Sequence, residues 1–155
     1  MEDAINAQIA AEIWSSNLYL SMSFYLEKEG FNGFASWMKK QSAEELDHAH
    51  TMASYLIKRQ GTPVVSEIKA VPSHWDGPLD VFEKVYEHEC AVSALIDKLM
   101  DVAVEEKDRP TQDFVWTFIR EQVEEEATAS DIVDRIKKMG GTGIFGLDQQ
   151  YGSRK

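Results

Sequence analysis

The sequence predicts an all-α protein: a four-helix bundle with one long crossover and a short fifth helix. Three observations carry this expectation. Start and stop residues of helices divide the chain into four long segments, each with apolar residues recurring every three or four positions. Alternating runs of β-branched and aromatic residues, the mark of strands, are nearly absent. Two of the connections are very short and one is long, which restricts how the helices can be arranged.

The first helix is expected from near Asp3 to about Glu29, ended by Gly30. Asn32 can cap a second helix that reaches Gln60, where "GTP" at 61–63 stops it. A third begins at Pro78, a residue suited to a first turn, and runs to about Lys107. Thr111 can cap a fourth, which ends at Gly140 and Gly141, and 144–151 is short enough for one fifth helix. Residues 1–155 read as a single domain, with the bundle at 3–140 and the tail helix at 144–151.

Residues 30–32 and 108–110 are connections that leave room only for antiparallel hairpins. The segment 62–77 is different, with Pro63, Pro72 and Gly77 and about sixteen residues. Extended, it spans about 50 Å, more than the roughly 42 Å of a helix of this length. It can therefore run the length of the bundle and make the second and third helices parallel.

Composition narrows the function classes. The chain has 155 residues, 43% hydrophobic and 28% charged, as expected of one folded domain and not of a disordered chain. No apolar run reaches the roughly 20 residues that cross a bilayer, and the N-terminus lacks the basic start of a secretory signal, so a cytoplasmic protein is expected. The single cysteine, Cys90, excludes an internal disulfide framework and any cysteine-built metal knuckle, and is read as a small core residue. The net charge of −11 opposes nucleic-acid and anionic-membrane partners and favours cations.

The expected core stripes carry the chemistry. In the first helix the stripe is Ile5, Ile9, Glu12, Ser16, Tyr19, Ser23 and Leu26; in the second, Phe34, Met38, Gln41, Glu45, His48, Met52 and Tyr55. The third gives Leu79, Phe82, Tyr86, Glu89, Ser93, Ile96, Met100 and Ala103, and the fourth Val115, Phe118, Gln122, Glu125, Ala129, Ile132, Ile136 and Met139. Each stripe holds one acid near its middle: Glu12, Glu45, Glu89, Glu125. His50 and His88 fall off the stripes and read as surface residues, as does His74 in the long connection.

A buried carboxylate without a partner costs several kcal/mol, and four together also repel. No lysine or arginine shares the stripes at that level. Taken singly, each acid would be a tolerated charge at a stripe edge, and the Glu45–His48 spacing is common by chance. Four stripes agreeing at one level is not, and the missing counter-charge is most simply metal. Two divalent cations would balance four carboxylates. Oxygen donors with one imidazole suit iron or manganese, and a lone histidine argues against structural zinc.

At this point the sequence resembles the ferritin family, specifically the bacterial non-haem ferritins. The likeness rests on "AAEIWSSNLYLSM" with Glu12 and Tyr19, "SAEELDHAH" with Glu45 and His48, "YEHE" with Glu89 and "REQVEEE" with Gln122 and Glu125. The resemblance implies a ferroxidase centre in which Glu12, Glu45 and His48 hold one iron. Glu45 bridges to a second iron held by Glu89, with Gln122 and Glu125 completing the pocket and Tyr19 beside it. It also implies a third iron position at Glu44, Glu121, Glu124 and Glu125, leaving only Glu126 of that acidic run as a solvated residue. A protein of this family oxidises Fe(II) with oxygen or peroxide and stores ferric mineral inside a 24-mer cage, with the tail helix at the fourfold axes.

Two departures narrow the family further. Bacterioferritins place a haem-ligating methionine just after the bridging glutamate; here that residue is Leu46, so haem is not expected. They also carry a second Glu-x-x-His in the fourth helix, where this chain has Gln122 and Glu125, so the second iron should be held more weakly. Mini-ferritins lack the acids on the third and fourth helices, and a rubrerythrin needs a cysteine-rich iron domain. A metal-free helical interaction protein would place apolar residues at all four acid positions.

Overall fold

In the computed structural model, residues 1–154 are described. Four long helices occupy Glu2–Lys28 (α1), Asn32–Lys58 (α2), Pro78–Glu105 (α3) and Arg109–Met139 (α4). A single 3₁₀ turn at Gly141–Gly143 leads into a short helix, Ile144–Tyr151 (α5), and no strand occurs among the described residues. Pro78 opens α3 as expected. Two caps differ from expectation. Asn32 is already helical, with Phe31 before it and no side-chain cap, and α4 is capped by Asp108. The Asp108 carboxylate accepts from the Thr111 amide at 3.2 Å and the Thr111 hydroxyl at 2.8 Å, while Arg59 donates to it from the end of α2. A carboxylate satisfies helix-start N–H groups and the positive end of the helix dipole better than a hydroxyl does.

The direction of each helix follows from what its ends touch. The Met1 amine is 2.8 Å from Glu106, beyond the end of α3, and the Tyr25 hydroxyl accepts from Gly77 just before its start. α1 therefore runs antiparallel to α3, and the tight Gly30 turn (φ 88°) sets it antiparallel to α2 as well. Hence α2 and α3 are parallel, which Phe34 against Phe82 near both starts (ring centroids 5.1 Å apart) bears out. The crossover follows α1 along most of its length: Val64 donates to Asn6, Ser21 donates to the Pro72 carbonyl, and Trp75 is buried near the far end. This is the one-crossover bundle.

Apolar residues gather into two clusters, one toward each end of the bundle. One contains Met22, Leu26, Phe34, Met38, Phe82 and Ile132; the other contains Ile5, Ile9, Met52, Ile96, Val115 and Phe118. Each such side chain contributes about 1.5–3 kcal/mol on burial. The two clusters bracket a polar band, and their burial offsets the cost of placing acids there.

The α3 stripe is rotated from the expected one. Val85, Val92 and Leu99 are buried where Tyr86 and Met100 were expected, and Tyr86 and Met139 are exposed. α5 docks on the start of α2. Asp148 is buried and accepts from the Phe34 amide at 2.8 Å, and a Cβ on Gly33 would stand only 1.7 Å from the Asp148 carbonyl oxygen.

Candidate metal centre

The polar band between the two apolar clusters takes one acid from each helix. Glu12 on α1, Glu45 on α2 and Glu89 on α3 are 1%, 3% and 1% exposed, Gln122 on α4 is buried, and Glu125 is partly covered. Acids reach this level because the heptad-like spacing turns about one position per helical turn inward, and on each helix an acid occupies such a position near the middle.

Three residues converge as a ligand set. Glu12, Glu45 and His48 each offer one donor atom, and these atoms all lie within 4.8 Å of one another. His48 Nδ1 is 3.2 Å from Glu45 Oε2 and 3.9 Å from Glu12 Oε2. Glu12 Oε1 accepts from Gln8 Nε2 at 2.7 Å, but its Oε2 is buried with no hydrogen-bond partner. An orphaned anionic oxygen in a dry interior is costly unless a cation completes it. The cationic neighbour of this pair of glutamates is His48, and no lysine or arginine among the described residues pairs with Glu12, Glu45 or Glu89.

The Glu89 side is closed differently. One Glu89 oxygen accepts from the Tyr19 hydroxyl, and the other accepts from Gln122 Nε2 at 3.1 Å. Gln122 Nε2 also reaches the Glu89 carbonyl at 3.2 Å. Glu125 lies farther out and accepts from Gln41 Nε2 at 2.8 Å. Gln41 in turn stands 3.5 Å from Glu45, linking the two sides. The band is therefore asymmetric. One half presents convergent donors with an unsatisfied oxygen, and the other half is held by internal hydrogen bonds that a cation would have to replace.

Protonation follows the same division. Burial pushes Glu45 well above the usual carboxylate range, with Glu12 close by adding to the rise against the pull of His48. Burial acts the same way on Glu12, but the neighbouring His48 ring outweighs it and holds Glu12 low. Burial alone would lower His48, yet the surrounding Glu12, Glu121 and Glu45 push it up to about 12. Burial raises Glu89 to about 7 despite its bonds to Tyr19 and Gln122, and burial and Glu89 raise the Tyr19 phenol well above its ordinary value. Without metal, protons carry the counter-charge.

The residues expected at a third position do not converge as ligands. Glu121 accepts from His48 Nε2 at 3.0 Å, Glu44 is paired with Arg154 at 2.8 Å, and Glu124 is exposed. Glu126 is more than a solvated residue: its Oε1 accepts from the Ser93 hydroxyl at 2.5 Å, and with Gln122 it lines a cavity of about 250 Å³ between α3 and α4. His88, expected at the surface, is half-buried. Its Nε2 is 2.8 Å from the Ser15 hydroxyl and its ring packs against Trp14 and Tyr19, and burial lowers it to about 4. Leu46, next to Glu45, is exposed, and Cys90 is half-buried rather than core. Gln41 and Arg154 are parts of the site that sequence reasoning did not single out; Gln41 had a signal, one turn before Glu45 on the same stripe.

Comparison with known proteins decides the family. The model of the ferritin-like domain matches residues 2–139. This chain belongs to the ferritin family. It is 62% identical over 154 residues to the bacterial non-heme ferritin of Bacteroides fragilis, covering 99% of this chain and 97% of the relative. The bacterial non-heme ferritin of Campylobacter jejuni is 36% identical, over 94% of this chain and 88% of that protein. Among solved structures, an open pore ferritin from Archaeoglobus fulgidus has 42% identity and a TM-score of 0.98, covering 100% of this chain and 97% of its own. Ferritin membership accounts for the helical bundle and its short tail helix.

Proposed function

We propose that this ferritin chain is a ferroxidase and iron-storage subunit, taking Fe(II) as substrate in the polar band. The observation that carries the proposal is the Glu12–Glu45–His48 set with its orphaned Glu12 oxygen, which no lysine or arginine among the described residues pairs with. Two carboxylates and one imidazole suit a first-row divalent cation such as Fe(II). Glu12, Glu45 and His48 would hold the first ion. Glu89, Gln122 and Glu125 would hold the second, with Glu45 between them and Tyr19 beside Glu89.

Anionic oxygen donors favour Fe(III) over Fe(II), which makes electron loss easier. Two Fe(II) ions together supply two electrons. With two protons these reduce dioxygen to hydrogen peroxide, or hydrogen peroxide to two waters. Oxidised iron then leaves by way of the acids beyond Glu125 and accumulates as ferric mineral inside a 24-mer cage in the cytoplasm, without haem. The donor set of the second position, an amide and a half-exposed carboxylate on α4, binds less strongly than a second histidine would and suits onward release.

Replacing Glu45→Ala together with His48→Ala tests this. Removing two buried polar groups leaves both apolar clusters intact, so the bundle should fold and the fast appearance of ferric absorbance after Fe(II) and air should disappear. A folded double variant with unchanged oxidation kinetics would overturn the site.

A further inference from the structure

Arg154, just beyond α5, reaches back over the bundle and meets the acids on the α2 side of the band. Its Nη2 donates to both Glu44 oxygens at 2.8 Å. Its Nη1 donates to the Trp37 carbonyl at 3.1 Å and to Gln41 Oε1 at 3.0 Å, and the guanidinium lies 4.6 Å over the Trp37 ring. Gln41 then donates to Glu125 at 2.8 Å and approaches Glu45. A continuous set of hydrogen bonds thus joins the tail to the glutamate proposed to bridge two irons. Trp37, Gln41, Glu125, Thr128, Gln150 and Arg154 border a cavity of about 480 Å³ on this side.

We propose that Arg154 is a displaceable counter-ion that gates metal passage from the bundle centre past Glu125 and Glu44. The inference rests on the iron route proposed above. A metal ion arriving at Glu44 competes with the guanidinium for the same oxygens, and at Glu125 it meets the Gln41 amide whose oxygen Arg154 holds. Arg154 is suited to yield. The Glu44 side of the pair is partly exposed, and ion pairs open to water contribute only about 0–1 kcal/mol. Its planar fork and its stacking on Trp37 nevertheless return it to one place once metal has gone. The tail is fixed nearby by the close approach of Gly33 to Gly152 and by Asp148 on the Phe34 amide, so only the last residues need move. Metal binding at Glu44 and docking of the tail oppose one another, and each weakens the other by the same factor.

Zinc titration calorimetry on the assembled, metal-free protein tests the gate without redox chemistry. The parent protein should show two tight zinc equivalents per chain that are reduced by Glu12→Gln. In Arg154→Ala, zinc beyond those two should bind roughly tenfold more tightly, a coupling of ordinary size. Arg154→Lys, which keeps the charge without the fork, should fall between. Adding Glu44→Gln to Arg154→Ala should cancel the gain, and Lys39→Ala, which removes a like charge from α2, should give none. The gate is overturned if Arg154→Ala matches the parent, if Lys39→Ala tightens zinc equally, or if the gain survives Glu44→Gln. Absence of the two tight equivalents in the parent would instead overturn the metal centre.

Discussion

Glu121 accepts from His48 Nε2 at 3.0 Å, and this bond decides which face of the imidazole meets the carboxylates. With one proton held on Nε2 by Glu121, the nitrogen that can give up its proton to a cation is Nδ1, the atom nearest Glu45 and Glu12. The acid on α4 thus orients the imidazole proposed as a ligand on α2. A carboxylate that accepts a ligand's N–H also makes the ring more basic toward metal.

Glu121→Ala should therefore weaken first-ion binding by about 10- to 100-fold while leaving Glu12, Glu45 and His48 in place. Glu121→Gln, which still accepts through its carbonyl, should recover part of the loss. Cobalt(II) absorption titration checks both. Equal affinity in the parent and Glu121→Ala would show that the bond has no orienting role.

Metal uptake should expel protons. His48 at about 12 holds its proton near neutrality, burial shifts Glu45 toward its protonated form as well, and ligation requires both to be deprotonated. The sign is fixed: affinity rises with pH and falls in acid. Calorimetry in buffers of different ionisation heat should count at least about one proton released per metal ion near pH 7.

The metal-free protein should lose stability as pH rises through Glu89. Its folded value, about 7, lies above the ordinary 4.5, so the folded state binds the proton more tightly. That contribution is present below 4.5 and lost by the time pH passes 7, an effect of about 3 kcal/mol. Glu89→Gln should flatten this part of the profile and make the metal-free protein more stable than the parent at pH 8. Urea unfolding at pH 5 and pH 8 measures it.

Gly33→Ala should release α5. The added Cβ would collide with the Asp148 backbone, which cannot move aside as a flexible side-chain end would, and undocking exposes Leu147 at a cost of about 2 kcal/mol. Limited proteolysis should cut near 140–143 in the variant and spare the parent. Equal resistance would show that α5 accommodates the methyl group.

Much of this was legible in the sequence, for identifiable reasons. All seven residues of the α1 stripe are buried, because α1 packs against both α2 and α3 and a single spacing rule describes its inner face. The α3 stripe was misplaced because two ladders pass through Glu89, one by Tyr86 and Ser93 and one by Val85 and Val92. The aliphatic ladder packs better against its neighbours, leaving the longer tyrosine at the surface. Long-range contacts left no periodic trace. His88 is half-buried because small Ser15 on α1 makes room and supplies a partner, and Arg154 meets Glu44 because α5 docks 110 residues away. The acids were readable as a level in the bundle; their hydrogen-bond partners were not.

The central claim is that Fe(II) enters between Glu12, Glu45, His48 and Glu89 to be oxidised there. Anomalous diffraction at the iron edge, on crystals soaked in Fe(II) without oxygen, tests it most directly. The account predicts a strong peak within ligand distance of Glu12, Glu45 and His48, and a weaker one toward Glu89, Gln122 and Glu125. Iron bound only at surface acids, with no peak inside the bundle, would contradict it.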